Sequence, residues 1–382
     1  MNQSHGMSRR TFLRSAAQVA ALGAFAGAGL MEPGKPRRAA AQSVSPPLVW
    51  VWKFSVDGQL ESIRDTIAAH GLGMILKTHD GTHWMDEYDD SPDAISGPAQ
   101  VERLVSRFEQ AGIPFHAWCV IQGNDPVTEA EMCADVLDAG ARGIFLDLEP
   151  DDGSNYWQGT AHDAFVFGEV LRRRKPDAMV TLAPDVRPWQ GPLVPLAEFM
   201  SFSDAVAPQS YWVTFNGPTN SRYMREHGYS VPESGITPEL MVDVALGTFQ
   251  QFGRPIQPIG QGAASPDEWR RFVSAAEARG MQPLSLWRYG SADPGAFGVL
   301  LDAVRRQQPA PEPDAPIVEK IAAPPPPTPE PIVFGESLSD IPQLREGYRQ
   351  KPASNELIRR PFLDEPMPQS SMPKALRRFL GQ

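Results

Sequence analysis

Asp147 and Glu149 stand two residues apart at the end of the apolar run 143–149. In an extended strand successive side chains point to opposite faces. Phe145, Asp147 and Glu149 therefore share one face, and Ile144, Leu146 and Leu148 share the other. Two carboxylates stacked on an otherwise apolar face are costly to bury unless they have a partner or a purpose. Their proximity raises the pKa of one of them. Such a group suits a general acid, able to protonate a leaving oxygen near neutral pH.

The same alternation, applied to seven further short apolar runs, gathers more polar and aromatic side chains at strand ends. Lys53 ends the run 48–54, Lys77 and His79 end 73–78, and His116 and Trp118 lie in 114–121. Asp185 comes just after 178–184, Gln209 and Tyr211 lie in 205–211, Gln261 ends 257–261, and Trp287 and Tyr289 lie in 283–289. Seven of the nine tryptophans, Trp52, Trp84, Trp118, Trp157, Trp189, Trp212 and Trp287, fall at strand ends or in the loops after them. Aromatic faces beside hydrogen-bonding groups suit a sugar ring, with its apolar C–H face and hydroxyl rim. Trp52, Lys53, Lys77, His79, His116, Trp118, Gln209, Trp212, Gln261, Trp287 and Tyr289 are accordingly the candidate substrate-binding residues.

Helices must carry the chain from one of these strands to the next. Asp125-Pro126, Thr237-Pro238, Ser265-Pro266 and Asp293-Pro294 each place a capping side chain before a proline at the first helical position. Gly71, Gly112, Gly140 and Gly280 stand where helical patterns stop. Strands alternating with amphipathic helices imply a parallel sheet, because parallel neighbours need crossover connections. Eight such units between residues 48 and 308 match the size of a closed (β/α)8 TIM barrel, about 250 residues. An open doubly wound sheet is the alternative, but no glycine-rich phosphate loop comes after the first strand. In a barrel the C-terminal strand ends build the active site, which is where the carboxylate pair and most of the aromatic set lie.

The run Arg142-Gly143-Ile144-Phe145-Leu146-Asp147-Leu148-Glu149 resembles the fourth-strand signature D-G-x-D-x-D-x-E of chitinase-like glycoside hydrolases of family 18. Gly143, Asp147 and Glu149 match, and Arg142 and Phe145 replace the two earlier acids. Gln209-Ser210-Tyr211-Trp212 resembles the same family's M-x-Y-D and keeps only the tyrosine, while Trp287 resembles the tryptophan that floors its substrate site. The resemblance implies Glu149 as proton donor, Asp147 orienting a substrate acetamido group that acts as internal nucleophile, and Tyr211 hydrogen-bonding that group. A second route keeps Glu149 as acid and uses Asp185 as base or nucleophile, with the carboxyl separation deciding between retention and inversion. The departures at Arg142, Phe145 and Trp212 motivate a non-catalytic alternative: a carbohydrate-binding or cell-envelope scaffold barrel.

The remaining features bound the setting. Residues 1–41 read as a twin-arginine export signal: Arg9-Arg10, then a short weakly apolar run, then Ala39-Ala40-Ala41. The run is too short to serve as a membrane anchor. The expectation is an extracytoplasmic protein with no stable membrane span once processed. Sixteen of the 39 prolines lie from Pro309 onward, so residues 309–382 read as a disordered, Pro-rich C-terminal tail that could recruit an envelope partner. A formal net charge of −11 argues against nucleic acid as a partner and fits a carbohydrate or glycan ligand. No cofactor is expected. His79, His83 and Asp86 do not form a defined metal set, and Cys119 and Cys133 read as separate buried thiols, so no metal is expected either.

Overall fold

The eight apolar runs become strands because each satisfies its backbone groups against parallel neighbours. In the computed structural model, which describes residues 45–151, 153 and 155–307, seven strands are continuous. They are β1 (Leu48–Val51), β2 (Gly73–Asp80), β3 (Phe115–Val120), β4 (Gly143–Leu148), β5 (Met179–Pro184), β7 (Ile259–Gln261) and β8 (Ser285–Trp287). β6 comes in two pieces, Ala205–Val206 and Gln209–Ser210. Pro208 has no N–H to give the ladder, yet its carbonyl still accepts from Ile259 N at 2.9 Å.

That split strand closes the barrel. On one side it pairs with β5, through Thr181 to Ala205, Leu182 to Val206 and the bridge of Asp185 to Gln209. On the other it pairs with β7, through Gln209 to Ile259 and Ser210 to Gly260. No barrel strand is left as an edge, and every barrel pairing is parallel. The short strand His83–Trp84 folds back antiparallel on β2, outside the ring.

Eight helices make the crossovers: α1 (Leu60–Ala69), α2 (Pro98–Gln110), α3 (Pro126–Asp138), α4 (Ala161–Arg174), α5 (Leu196–Phe202), α6 (Pro238–Phe249), α7 (Pro266–Glu277) and α8 (Pro294–Gln307). A further helix, Pro218–Glu226, lies between β6 and α6. The side chains of Asp125, Thr237 and Ser265 accept from backbone N–H groups in the first turn of α3, α6 and α7, and Asp293 accepts from Gly295 N. Gly71, Gly112, Gly140 and Gly280 all take positive φ just beyond helix ends, a backbone conformation only glycine adopts without strain.

The apolar side chains divide between two layers. Val49, Val51, Ile144, Leu146 and Leu148 point outward and pack with helix residues such as Phe108, Phe167 and Trp269. Trp50, Ile75, Trp118, Phe145 and Ile259 fill the barrel interior. The export-signal and tail readings fall on residues 1–41 and 309–382, outside the described residues. Among the described residues no helix is long and apolar enough to cross a membrane.

His116 points inward, but at the N-terminal end of β3, beside Phe145 and the Arg142–Glu109 ion pair. Burial, aided by the Arg142 guanidinium, lowers its pKa to about 4. A histidine kept neutral in the fold contributes stability that is full above its unfolded value of about 6.5 and is lost as pH falls toward 4. The thermal midpoint is expected to fall across that window, by the equivalent of up to about 3 kcal/mol. His116→Gln should flatten the slope, which calorimetry at stepped pH would measure.

Candidate active site

Glu149 caps β4 at the C-terminal mouth of the barrel, half-buried, with Asp147 one pleat below it and buried. The amide of Gln209, from β6 across the interior, joins them. Its Nε2 donates to Asp147 Oδ1 at 2.9 Å and to Glu149 Oε1 at 2.9 Å. Both protons of one amide thus hold the two carboxyl groups together. Burial first, and then the charge of Glu149, push the Asp147 carboxyl well above the usual carboxylate range, against the opposing pull of Lys77. The pair therefore retains a proton where isolated carboxyl groups have lost theirs.

Beneath and beside the pair, Lys77 Nζ forms an ion pair with Asp80 at 2.7 Å and lies 4.7 Å from the centre of the Trp118 ring. Alternation along β2 puts Lys77 and His79 on the inner face, but the strand carries a bulge. Lys77 pairs with Trp118 and His79 with the next residue, Cys119, so Thr78 is one residue extra. A bulge reverses the facing of the residues beyond it. His79 is turned out of the barrel, toward Cys119 and Cys133, and Asp80 is turned toward the site in its place. Asp80 is a member of the charged cluster that regular alternation cannot reveal.

An aromatic floor lies below. Trp50, Trp118 and Trp287 meet edge to face, with centroids 5.4 Å apart for Trp50 and Trp118, 5.7 Å for Trp50 and Trp287, and 5.3 Å for Trp118 and Trp287. Trp118 Nε1 donates to Val51 O at 3.0 Å, and Trp50 Nε1 to Ser285 Oγ at 2.9 Å, which fixes both rings. Trp52 adds a fourth indole at the rim, with two cations against its ring: Lys53 Nζ lies 4.4 Å from its centre and the Arg288 guanidinium 5.0 Å. Lys53 is half-buried, and burial together with Lys77 lowers its pKa. Tyr211 stands at the border of the barrel interior, against Phe215.

The other candidates fall elsewhere. Asp185 is buried and committed to Arg187, accepting from its Nε at 2.9 and 3.0 Å and from its backbone N at 2.8 Å. A carboxylate so engaged is poorly placed to act as base or nucleophile. Trp212 lies one residue past Tyr211 and so faces outward, against Trp269 and Phe272. Tyr289 leaves the cleft for the outer layer, where its hydroxyl contacts Thr66 Oγ1 at 3.0 Å and its ring meets Phe297. His116, at the far end of β3, is likewise remote from the mouth. Gln261 stays at the rim and accepts from Thr214 N at 2.9 Å. Of the remaining rim tryptophans, Trp84 faces His79, Trp157 packs on Phe199, and Trp189 lies between Tyr223 and His227.

A buried ion pair ties the first and last strand ends together. Arg288 Nη1 lies 2.5 Å from Asp57 Oδ1, and the same carboxylate accepts from Trp52 N at 2.6 Å and Gly290 N at 3.2 Å. Burial pushes the Asp57 carboxyl up in spite of the guanidinium. Asp57 sits six residues past the β1 end, closing the one-turn helix Phe54–Asp57, where no spacing marks it in the sequence.

No family model and no curated protein matches the chain. Among solved structures, it is similar to a glycoside hydrolase family 18 N-acetylglucosaminidase from Paenibacillus barengoltzii, at 11% identity and a TM-score of 0.48, covering 68% of this chain and 99% of that one. It is also similar to active domain 2 of a thermostable chitinase from Pyrococcus furiosus complexed with chito-oligosaccharides, at 12% identity and a TM-score of 0.45, covering 69% and 96%. A GH5_18 protein from Streptomyces cattleya, in complex with Manb1-4GlcNAc, is similar at 15% identity and a TM-score of 0.47, covering 70% and 83%.

Proposed function

We propose that this chain is an exported glycoside hydrolase acting on a polysaccharide or cell-wall glycan, with Glu149 as general acid/base. The observation that carries the reading is the Gln209 amide, which holds Asp147 and Glu149 together at the barrel mouth above a tryptophan floor. A sugar laid on the rim would present its glycosidic oxygen to Glu149, which stands half-buried at the end of β4. Protonation of that oxygen makes the leaving group departable. Asp147, below, shares the proton of the pair and is placed to orient the reacting group. The family 18 resemblance implies that the substrate's own acetamido group attacks at the anomeric carbon, with Tyr211 hydrogen-bonding it. Trp52, Lys53, Lys77, Trp118, Gln209, Gln261 and Trp287 are the proposed sugar contacts.

The test is a glycan panel scored for reducing ends and, separately, for binding. Release supports the hydrolase. Binding without release favours the carbohydrate-binding alternative, for which the engagement of Asp185 and the loss of the acids at Arg142 and Phe145 argue. Residues 1–41 are proposed as the export signal, 48–308 as the catalytic unit and 309–382 as a tail that contacts an envelope partner. Replacing Arg9 and Arg10 by lysine is expected to hold most of the chain in the cytoplasm, as fractionation and immunoblotting would show.

A further inference from the structure

Behind the barrel wall, between β2, β3 and α3, three ionisable side chains meet, with the buried Thr78 hydroxyl and Glu129 carboxyl nearby. His79, Cys119 and Cys133 are fully buried, and neither cysteine is in a disulfide. Cys133 Sγ lies 3.6 Å from Cys119 Sγ and 3.6 Å from His79 Nε2. All three donor atoms lie within 4.8 Å of one another. They face away from the carboxylate pair, so the reaction proposed above makes no use of them.

The hydroxyl of Thr78, the extra residue of the bulge, lies 3.2 Å from Trp118 O and 2.8 Å from His79 Nδ1. The tautomer a metal requires has the ring proton on Nδ1, donated to that hydroxyl oxygen, and the Nε2 lone pair turned to Cys133. Metal-ligating histidines are held in this way, with the far ring nitrogen donating to a protein oxygen.

Two of the three donor–donor distances match a coordination sphere, and the third is within 4.8 Å. An ion about 2.3 Å from each sulfur and about 2.0–2.1 Å from the nitrogen, with tetrahedral angles, sets donor atoms about 3.5–3.8 Å apart. The two contacts at Cys133 fall in that range. We propose that His79, Cys119 and Cys133 form a buried site for a thiophilic d10 cation, Zn2+ in the first instance. As the two metal–sulfur bonds form, the two thiol protons pass to solvent and the imidazole stays neutral. Zn2+ with two thiolates and one neutral imidazole carries no net charge, which a buried site tolerates, whereas Cu+ on the same ligands leaves one negative charge.

Glu129, within electrostatic reach of His79, does not complete the set. Its two oxygens already accept from the backbone N–H groups of Gln122, Gly123, Asn124 and Asp125, at 2.8, 3.1, 3.1 and 3.4 Å. Among the described residues no fourth protein ligand joins the three. So placed, the ion ties α3 to the two strands that carry Lys77, Asp80 and Trp118.

The experiment titrates the full chain, purified reduced and stripped with a chelator, with Zn2+, and in parallel arms with Cu+ and with Co2+ as a spectroscopic stand-in. One ion retained per chain after gel filtration, a sulfur-to-Co2+ charge-transfer band and a raised unfolding temperature are expected. Cys133→Ala and Cys119→Ala, small changes whose folding circular dichroism verifies, should each weaken binding by about 100-fold or more. Should either fail to fold, His79→Gln carries the comparison and should weaken binding by at least about 10-fold. Tighter retention of Cu+ than of Zn2+ would overturn the choice of Zn2+. The site itself would be overturned by no retained ion in the reduced chain, by equal retention in the Cys119/Cys133 double variant, or by recovery of the native chain with its two cysteines joined, two hydrogens lighter.

Discussion

Glu149→Gln is expected to lower glycan release by about 10²- to 10⁴-fold, the usual contribution of a positioned general acid, with affinity for the same glycan changed by no more than a few-fold. The substitution keeps the shape of the side chain and removes the proton that can be delivered. It also leaves Gln209 able to donate to Asp147 across the 2.9 Å contact, so the geometry beneath survives. Because the glutamine also relieves the charge that pushes the Asp147 carboxyl up, the fold should be no less stable, and calorimetry beside the kinetics separates the two effects. Unchanged release would remove Glu149 from the reaction.

The second large effect is on stability. Asp57→Ala is expected to cost about 3–5 kcal/mol, because it leaves the Arg288 guanidinium buried without its carboxylate partner. It also removes the acceptor of Trp52 N and Gly290 N, the contacts that join the loops after β1 and β8. For a domain of this size the unfolding midpoint should fall by about 6–20 °C. Combining Asp57→Asn with Arg288→Met removes both charges, and should recover most of the loss, since the penalty lies mainly in the unpaired charge. A double variant no better than Asp57→Ala would show that the stabilisation comes from the hydrogen bonds to the loops instead.

The parts of this architecture that obey local rules were legible in the sequence. Strand–helix alternation, capping residues before prolines and glycines at helix ends are short-range signals, and the barrel is built from them. The facing of Asp147 and Glu149 was legible too, because β4 is regular through all of 143–148. Alternation misleads where the backbone is irregular: one extra residue at Thr78 carries His79 out of the site and Asp80 into it. It also depends on depth as well as face. His116 does point inward, but at the wrong end of its strand.

Tryptophan content was a weaker guide than facing. Trp50, which anchors the floor, sits within β1 rather than in the loop after it, whereas Trp212 comes after an inward tyrosine and faces helices. Long-range partners were not legible at all. Nothing local to Gln209 announces that its amide will bridge two carboxyl groups on β4. The pairing of Asp57 with Arg288, 231 residues apart, likewise exists only after the barrel has closed.

The central claim is that a glycan lies across the barrel mouth with its scissile oxygen at Glu149. A crystal structure of Glu149→Gln soaked with a glycan that the panel identifies tests it most directly. The predicted result is a sugar stacked over Trp287, the partly exposed member of the floor, its glycosidic oxygen within hydrogen-bonding reach of the side chain at position 149. A glycan bound outside the mouth, or inside it with that oxygen turned toward Asp185 and Arg187, would contradict the account.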